Sequence, residues 1–430
     1  MKSYIIGFIY CFLFSALSSA QSSKLDTLLF ELPDVSFEKI EAPDGYKAAY
    51  VLKVKQPLDH FDHSKGYFHQ KVYLSHLNFS APAVIITQGY SRNKNSVFEL
   101  SQLLQANQID VEHRYFGESL PKEMDYSYLN LKQVTADLHH IKNLLGSIYQ
   151  GKWVSTGVSK GGSTTIFYRY FYPDDVDVSV PYVAPINNAF EDQRIYKFFD
   201  TIGTSKCRRK IKNFQKQVLK HRKQILPLLK FYNLGKNAKY TYLEEEEAFE
   251  LAVLEYPFSF WQWGTSCEDI PPATTTIEEK TKHLIKVSDV TFFSDEIMEK
   301  YGSHYFQSAE EMGYYGYETD ELKDLLKALP KGKNPHAAFT PNKMEVEFKG
   351  QDLLKDVNKW LKTMGDKFIY IYGGNDTWSA TGVPESNLVD SKWFVMKGIH
   401  HGNARIKNFT ETHKQRLIKT LNDWLELDLK

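Results

Sequence analysis

Lys152-Trp153-Val154-Ser155-Thr156-Gly157-Val158-Ser159-Lys160-Gly161-Gly162 is the stretch on which the fold turns. A β-prone run from Lys152 to Thr156 ends in Gly157-Val158-Ser159-Lys160-Gly161, and a helical run from Thr164 to Tyr170 follows. G-x-S-x-G between a strand and a helix is the pattern of a nucleophile elbow, in which a serine is held in a strained turn. Glycine is needed on both sides, because side chains at Gly157 and Gly161 would meet the neighbouring strand and helix. An ordinary glycine turn satisfies the five residues alone; the strand-turn-helix context separates the two readings.

Upstream, residues 46 to 77 alternate well enough for two antiparallel strands, Tyr50 to Val54 and Gln70 to Leu77, joined by a polar stretch and forming a sheet edge. Ala83 to Thr87 and Gln108 to Val111 read as buried parallel strands. Val97 to Ala106 and Leu131 to Ile148 have helical spacing. Strands alternating with helices predict a parallel α/β sheet.

After Pro185 the pattern turns helical. Ser205 to Leu229 reads as one basic helix, a second opens at Glu244 to Glu247 and ends near Tyr256-Pro257, and further helical signals cover Ile277 to Leu284, Asp295 to Tyr301 and Thr319 to Leu329. The α/β pattern returns with a helix over Leu353 to Met364, strands at Lys367 to Tyr372 and Trp393 to Met396, and a closing helix from Glu411 to Leu425. The 430 residues exceed the ~250 to 300 at which single cores stop growing. The expected organisation is a signal segment over 1–20, a core over 21–188 and 343–430 with a mostly parallel sheet, and an inserted, mostly helical cap over 189–342.

Composition narrows the function classes. Hydrophobic residues make up 42% and charged residues 25%, values of a folded chain, and 53 Lys and Arg balance 53 Asp and Glu. Without a net basic field, nucleic acid is disfavoured as a partner. Lys2, the apolar run Tyr4 to Leu17 and the small residues Ser18-Ser19-Ala20 read as an export signal, the run being shorter than the ~18 residues of a membrane-spanning candidate. The mature chain is therefore expected to be secreted or periplasmic, with no integral membrane segment. Outside that segment, Cys207 and Cys267 are the two cysteines, a disulfide candidate in an oxidising compartment or else two separate thiols. Asp59-His60-Phe61-Asp62-His63 matches no zinc or calcium loop and reads as a turn. No metal and no cofactor is indicated.

A nucleophilic serine needs a base and an orienting carboxylate, which in this fold follow in the order Ser, Asp or Glu, His. Asp376 stands on the loop after the strand ending at Tyr372, and Gly398-Ile399-His400-His401-Gly402 follows the next strand. Ser159, Asp376 and either His400 or His401 are the expected catalytic residues. Backbone N–H groups of Lys160 and Tyr90 are the expected oxyanion donors, the second from the loop after Ala83 to Thr87.

These residues resemble a known group, the secreted serine peptidases of the Streptomyces-type tripeptidyl aminopeptidase family, relatives of prolyl carboxypeptidase and dipeptidyl peptidase II. The resemblance is carried by Gln56-Pro57-Leu58-Asp59-His60-Phe61, Glu112-His113-Arg114-Tyr115-Phe116-Gly117-Glu118-Ser119, the elbow, Tyr182-Val183-Ala184-Pro185, Phe258-Ser259-Phe260-Trp261-Gln262-Trp263, Gln307-Ser308-Ala309-Glu310-Glu311-Met312-Gly313-Tyr314-Tyr315, Asp376-Thr377-Trp378-Ser379 and the Gly-Ile-His-His run. It implies an α/β-hydrolase core under a helical cap, and a serine peptidase that releases di- or tripeptides from the amino end of short peptides through an acyl-enzyme. It also puts His400 ahead of His401 as base. Gln88-Gly89-Tyr90 and Thr377 depart from the prolyl relatives, so a strict proline preference is not carried over. An exopeptidase must bind a charged terminus: Glu112, Glu310 and Glu311 are candidates for an ammonium, unless Glu112 pairs with Arg114 and the other two face water. Trp261, Trp263 and Trp378 are candidate walls of an apolar pocket, or core. The alternatives are a proline-directed carboxypeptidase or an esterase, and, from another class, a catalytically silent exported binding protein.

Overall fold

Ala83–Thr87 and Asn107–Val111 are five-residue runs with every residue buried, as strands covered on both faces must be. They pair in parallel, Ile85 opposite Ile109, and lie inside a nine-stranded sheet. The computed structural model describes residues 24–329 and 339–430; the expected signal segment lies outside them. In chain order the strands are β1 (Val35–Ile40), β2 (Ala48–Pro57), β3 (Tyr67–His76), β4 (Ala83–Thr87), β5 (Asn107–Val111), β6 (Trp153–Val158), β7 (Val178–Tyr182), β8 (Ile369–Gly373) and β9 (Lys392–Met396). The sheet order is β1-β2-β3-β5-β4-β6-β7-β8-β9. β1, β2, β3 and β5 pair antiparallel in succession, and β4 pairs in parallel with both β5 and β6. The arrangement is an α/β-hydrolase fold. β1 and β7 were not anticipated; β1 is the sheet edge and displaces β2 from that position.

The chain divides into two compact units, one of residues up to Pro181 with Lys367–Ile369 and Phe409–Lys430, the other of Tyr182–Asp366 with Tyr370–Asn408. In the first, residues 24–30 form helix α1, followed by α2 (Glu99–Leu103), α3 (Leu131–Gly146) and α4 (Lys160–Phe171). Arg114 in this unit is fully buried and bonded to both oxygens of Asp137 at 2.7 Å and to the carbonyls of Leu58, Tyr128 and Pro57. His60 Nε2 meets the same Asp137 at 2.7 Å, so the Asp-His turn serves this knot.

The second unit holds α5 (Arg194–Thr201), α6 (Ser205–Lys220), α7 (Arg222–Gly235), α8 (Glu245–Gln262), α9 (Ile277–Val287), α10 (Asp295–Gln307) and α11 (Gln351–Thr363); α12 (Glu411–Leu425) returns to the first. Cys207 and Cys267 are joined, with Cα atoms 5.5 Å apart. Three sequence expectations change here. Ser205 to Leu229 is two helices, broken at His221 (φ −94°, ψ 17°), and Pro227 lies inside the second of them. α8 does not stop at Pro257, because Phe258, Phe260 and Trp261 go on into the core and outweigh one lost hydrogen bond. Thr319 to Leu329 forms turns: the Glu250 carboxylate takes the N–H groups of Lys327, Ala328 and Leu329, which a helix would aim at carbonyls one turn back. Among the described residues no helix is long and apolar enough to cross a membrane.

Glu255 of α8 is buried and accepts hydrogen bonds from Tyr315 (2.8 Å), Tyr317 (2.8 Å) and Ser259 (3.1 Å). Burial outweighs these donors and pushes its carboxyl up to about 7. The folded state therefore holds a proton that the unfolded state has released, and stability falls as pH rises from about 4.5 to 7. Glu255→Gln is expected to flatten the rise in melting temperature on acidification across that window; an unchanged slope would rule Glu255 out as its source.

Candidate active site

The elbow is built by three glycines interlocking with the end of β4. A Cβ on Gly157 would lie 2.3 Å from Gly161 O and 2.6 Å from Thr87 O, one on Gly161 would lie 2.4 Å from Thr87 O, and one on Gly89 would lie 2.7 Å from Lys160 Cβ and 2.8 Å from Gly161 N. The loop after β4 therefore rests on the first turn of α4. Ser159 stands between β6 and α4 at φ 58°, ψ −125°, a conformation L-residues avoid, and its hydroxyl makes no capping bond. Thr87 Oγ1 ties the strand to the helix at Gly161 O (2.7 Å) and Thr165 Oγ1 (2.6 Å).

Asp376 is fully buried on the loop after β8. Its Oδ1 accepts the Trp378 N–H at 3.1 Å, and its Oδ2 accepts the Ser379 hydroxyl at 2.6 Å and His401 Nδ1 at 2.9 Å. Because a carboxylate only accepts, the hydrogen resides on Nδ1 and leaves Nε2 as the basic nitrogen of His401. The two loops are registered by Gly374 N–H to Met396 O and Asn375 N–H to Ile399 O, both 2.9 Å. A Cβ on Gly373 would reach 2.6 Å from Ile399 O, so this approach requires glycine.

The resemblance puts His400 first, whereas the histidine that meets Asp376 is the alternate, His401. His400 is extended (φ −93°, ψ 175°), so consecutive side chains leave opposite sides of the chain and Asp376 reaches His401 alone. His400 Nδ1 instead accepts the Gly402 N–H at 3.3 Å, and its ring presses on Gly264, where a Cβ would lie 2.5 Å from Cδ2.

Glu112 is fully buried and committed. It accepts the backbone N–H groups of Arg92 (2.6 Å) and Glu118 (2.8 Å) and the Ser119 hydroxyl (2.9 Å), with Lys71 Nζ at 3.3 Å, whereas Arg114 pairs with Asp137. Glu310 and Glu311 sit on a π-helical turn, Ser308–Met312. Glu311 is buried; Glu310 Oε1 lies 3.4 Å from Lys349 Nζ, and its buried Oε2 has no hydrogen-bond partner among the described residues. Burial raises the Glu310 carboxyl above its usual range, Lys349 opposing. Trp261 is core and lines a cavity of about 530 Å³ with Phe199, Phe258 and Tyr315. Trp263 is 57% exposed and stands edge-on to the His401 ring at 6.0 Å. Trp378 packs against Phe258 and Tyr315. Ser379 was not singled out from sequence, although a hydroxyl three residues after a loop aspartate is a signal for such a support.

The fold is that of the α/β-hydrolase class, and the family match makes the chain a serine peptidase. The chain belongs to the PS-10 peptidase S37 family, whose pattern it matches over residues 19–428. It is 29% identical over 399 residues to a prolyl tri/tetrapeptidyl aminopeptidase of Streptomyces mobaraensis, covering 90% of this chain and 82% of that one. It is 24% identical over 175 residues to the lysosomal Pro-X carboxypeptidase of Mus musculus, covering 36% of each. Among solved structures, a proline iminopeptidase of Mycobacterium smegmatis is similar at a TM-score of 0.40 and 12% identity, covering 86% of this chain and 96% of that one.

Proposed function

We propose that the chain is an exported serine exopeptidase releasing tri- or tetrapeptides, or shorter pieces, from free amino ends. The observation that carries this reading is the 29% identity with the Streptomyces aminopeptidase across 90% of the chain. Ser159 Oγ attacks the scissile carbonyl while His401 Nε2 takes its proton; His401 then returns that proton to the leaving amine, and a water repeats the sequence on the acyl-enzyme. Asp376 holds the tautomer and balances the imidazolium. The N–H groups of Lys160 and Tyr90 receive the oxyanion. Residues 189–342 act as the cap, which narrows access and favours chain ends over folded proteins.

Glu310, whose buried Oε2 has no hydrogen-bond partner among the described residues, is assigned the substrate ammonium; Glu112 is spent on its own loops. Peptides blocked at one end test the reading. Acetylating the amine is expected to lower kcat/KM at least ~10- to 100-fold, the worth of a charge-assisted bond, while amidating the carboxyl end changes it little. The reverse pattern would make the enzyme a carboxypeptidase, and indifference to both would favour an esterase.

A further inference from the structure

Lys160 is 3% exposed. Its Nζ donates to the carbonyl of Gly89 at 3.0 Å and reaches His113 Nε2 at 3.1 Å. It also lies over two aromatic faces, 5.7 Å from the Tyr90 ring centre and 5.4 Å from that of Phe116. The direction of the histidine bond is settled at the other end of the ring: His113 Nδ1 is 2.7 Å from the Arg114 carbonyl, which can only accept, so Nδ1 carries the hydrogen and Nε2 receives the Lys160 ammonium. The His113 backbone N–H in turn donates to the Tyr90 carbonyl at 3.3 Å.

The same short loop is held at its flanks. Gln88 Nε2 donates to Asp110 at 2.7 Å, the Arg92 guanidinium to Asp110, and the Arg92 backbone N–H to Glu112 at 2.6 Å. What Lys160 adds is direction. The Gly89 carbonyl and the Tyr90 N–H belong to one planar trans peptide and point opposite ways, so a donor fixed on that carbonyl fixes where the N–H points.

We infer that the Lys160 side chain, seated on His113, is a positioning residue of the oxyanion hole: one residue supplies a donor from its backbone and aims the second donor, Tyr90 N–H, with its ammonium. The inference rests on the reading of Ser159 as nucleophile. It also explains why a cation is tolerated in a nearly dry place, since a carbonyl, an imidazole nitrogen and two ring faces replace its water.

The test compares Lys160→Met, His113→Leu and His113→Gln in three measurements: kcat and KM on a free-amine peptide anilide, the rate of covalent labelling by a fluorophosphonate, and the melting temperature. Removing a whole oxyanion donor costs ~10²- to 10³-fold in kcat, so a misaimed one is expected to cost about 30- to 100-fold. Lys160→Met and His113→Leu should show that loss in kcat and in labelling rate alike, with KM within about 3-fold, and His113→Gln, whose amide oxygen can accept the ammonium, should recover most of it. Full kcat in Lys160→Met, or a loss confined to KM with labelling unchanged, overturns the inference. Should Lys160→Met fail to fold, His113→Leu decides by the same criteria with the lysine in place. An active Ser159→Ala would instead sink the reading of the site; an inactive Ser159→Ala beside a fully active Lys160→Met would sink this inference alone.

Discussion

His401→Ala is expected to lower kcat by on the order of 10⁵-fold, whereas His400→Ala stays within about 10-fold of the parent. The asymmetry follows from one bond: Asp376 Oδ2 to His401 Nδ1 at 2.9 Å, in a site where the aspartate is fully buried and the histidine nearly so. Of the two, His401 is the one that meets a carboxylate, which orients its ring and balances its positive charge as it takes up a proton. His400 is engaged by the Gly402 N–H and packs on Gly264, so its removal loosens a turn without removing a base. Asp376→Asn should act in the same direction through the wrong tautomer, near ~10⁴-fold, as triads elsewhere do. Equal losses in the two histidine variants, or a larger loss in His400→Ala, would return the base to His400.

Ser159→Ala is expected to abolish turnover to a similar extent, ~10⁵- to 10⁶-fold, and to remove fluorophosphonate labelling altogether. Folding should be nearly untouched. The serine hydroxyl makes no capping bond, and alanine inherits the same φ of 58°, so the backbone cost is unchanged and the melting temperature should stay within a few degrees. Labelling at another serine in the parent enzyme would displace Ser159 from its role. A residual rate of ~10³- to 10⁴-fold over water would be in keeping with an intact oxyanion hole.

Part of this protein follows from its sequence alone because the forces concerned are local or periodic. Runs such as Ala83–Thr87, short, β-branched and set between Pro82 and Gln88-Gly89, read as buried strands, and their alternation with helices determined an α/β sheet. Gly157 and Gly161 around Ser159 announced the elbow, since the backbone contacts that forbid a Cβ there lie within a few residues or on the adjoining strand. Tertiary structure decided the rest. His400 and His401 have nearly the same local sequence, and which of them meets Asp376 was decided by a loop from another strand, through Asn375 to Ile399 and Gly373 against the same carbonyl. Glu112 is a plausible ammonium ligand on paper; two turns that fold back onto it used up its oxygens. Thr319 to Leu329 has helical periodicity, and a carboxylate about 77 residues earlier in the chain, Glu250, captured its last N–H groups. The aim of Lys160 at Gly89 is of the same kind. Hydrogen-bond partners far apart in sequence leave no periodic trace, because which donor meets which acceptor is set only when the strands take their order.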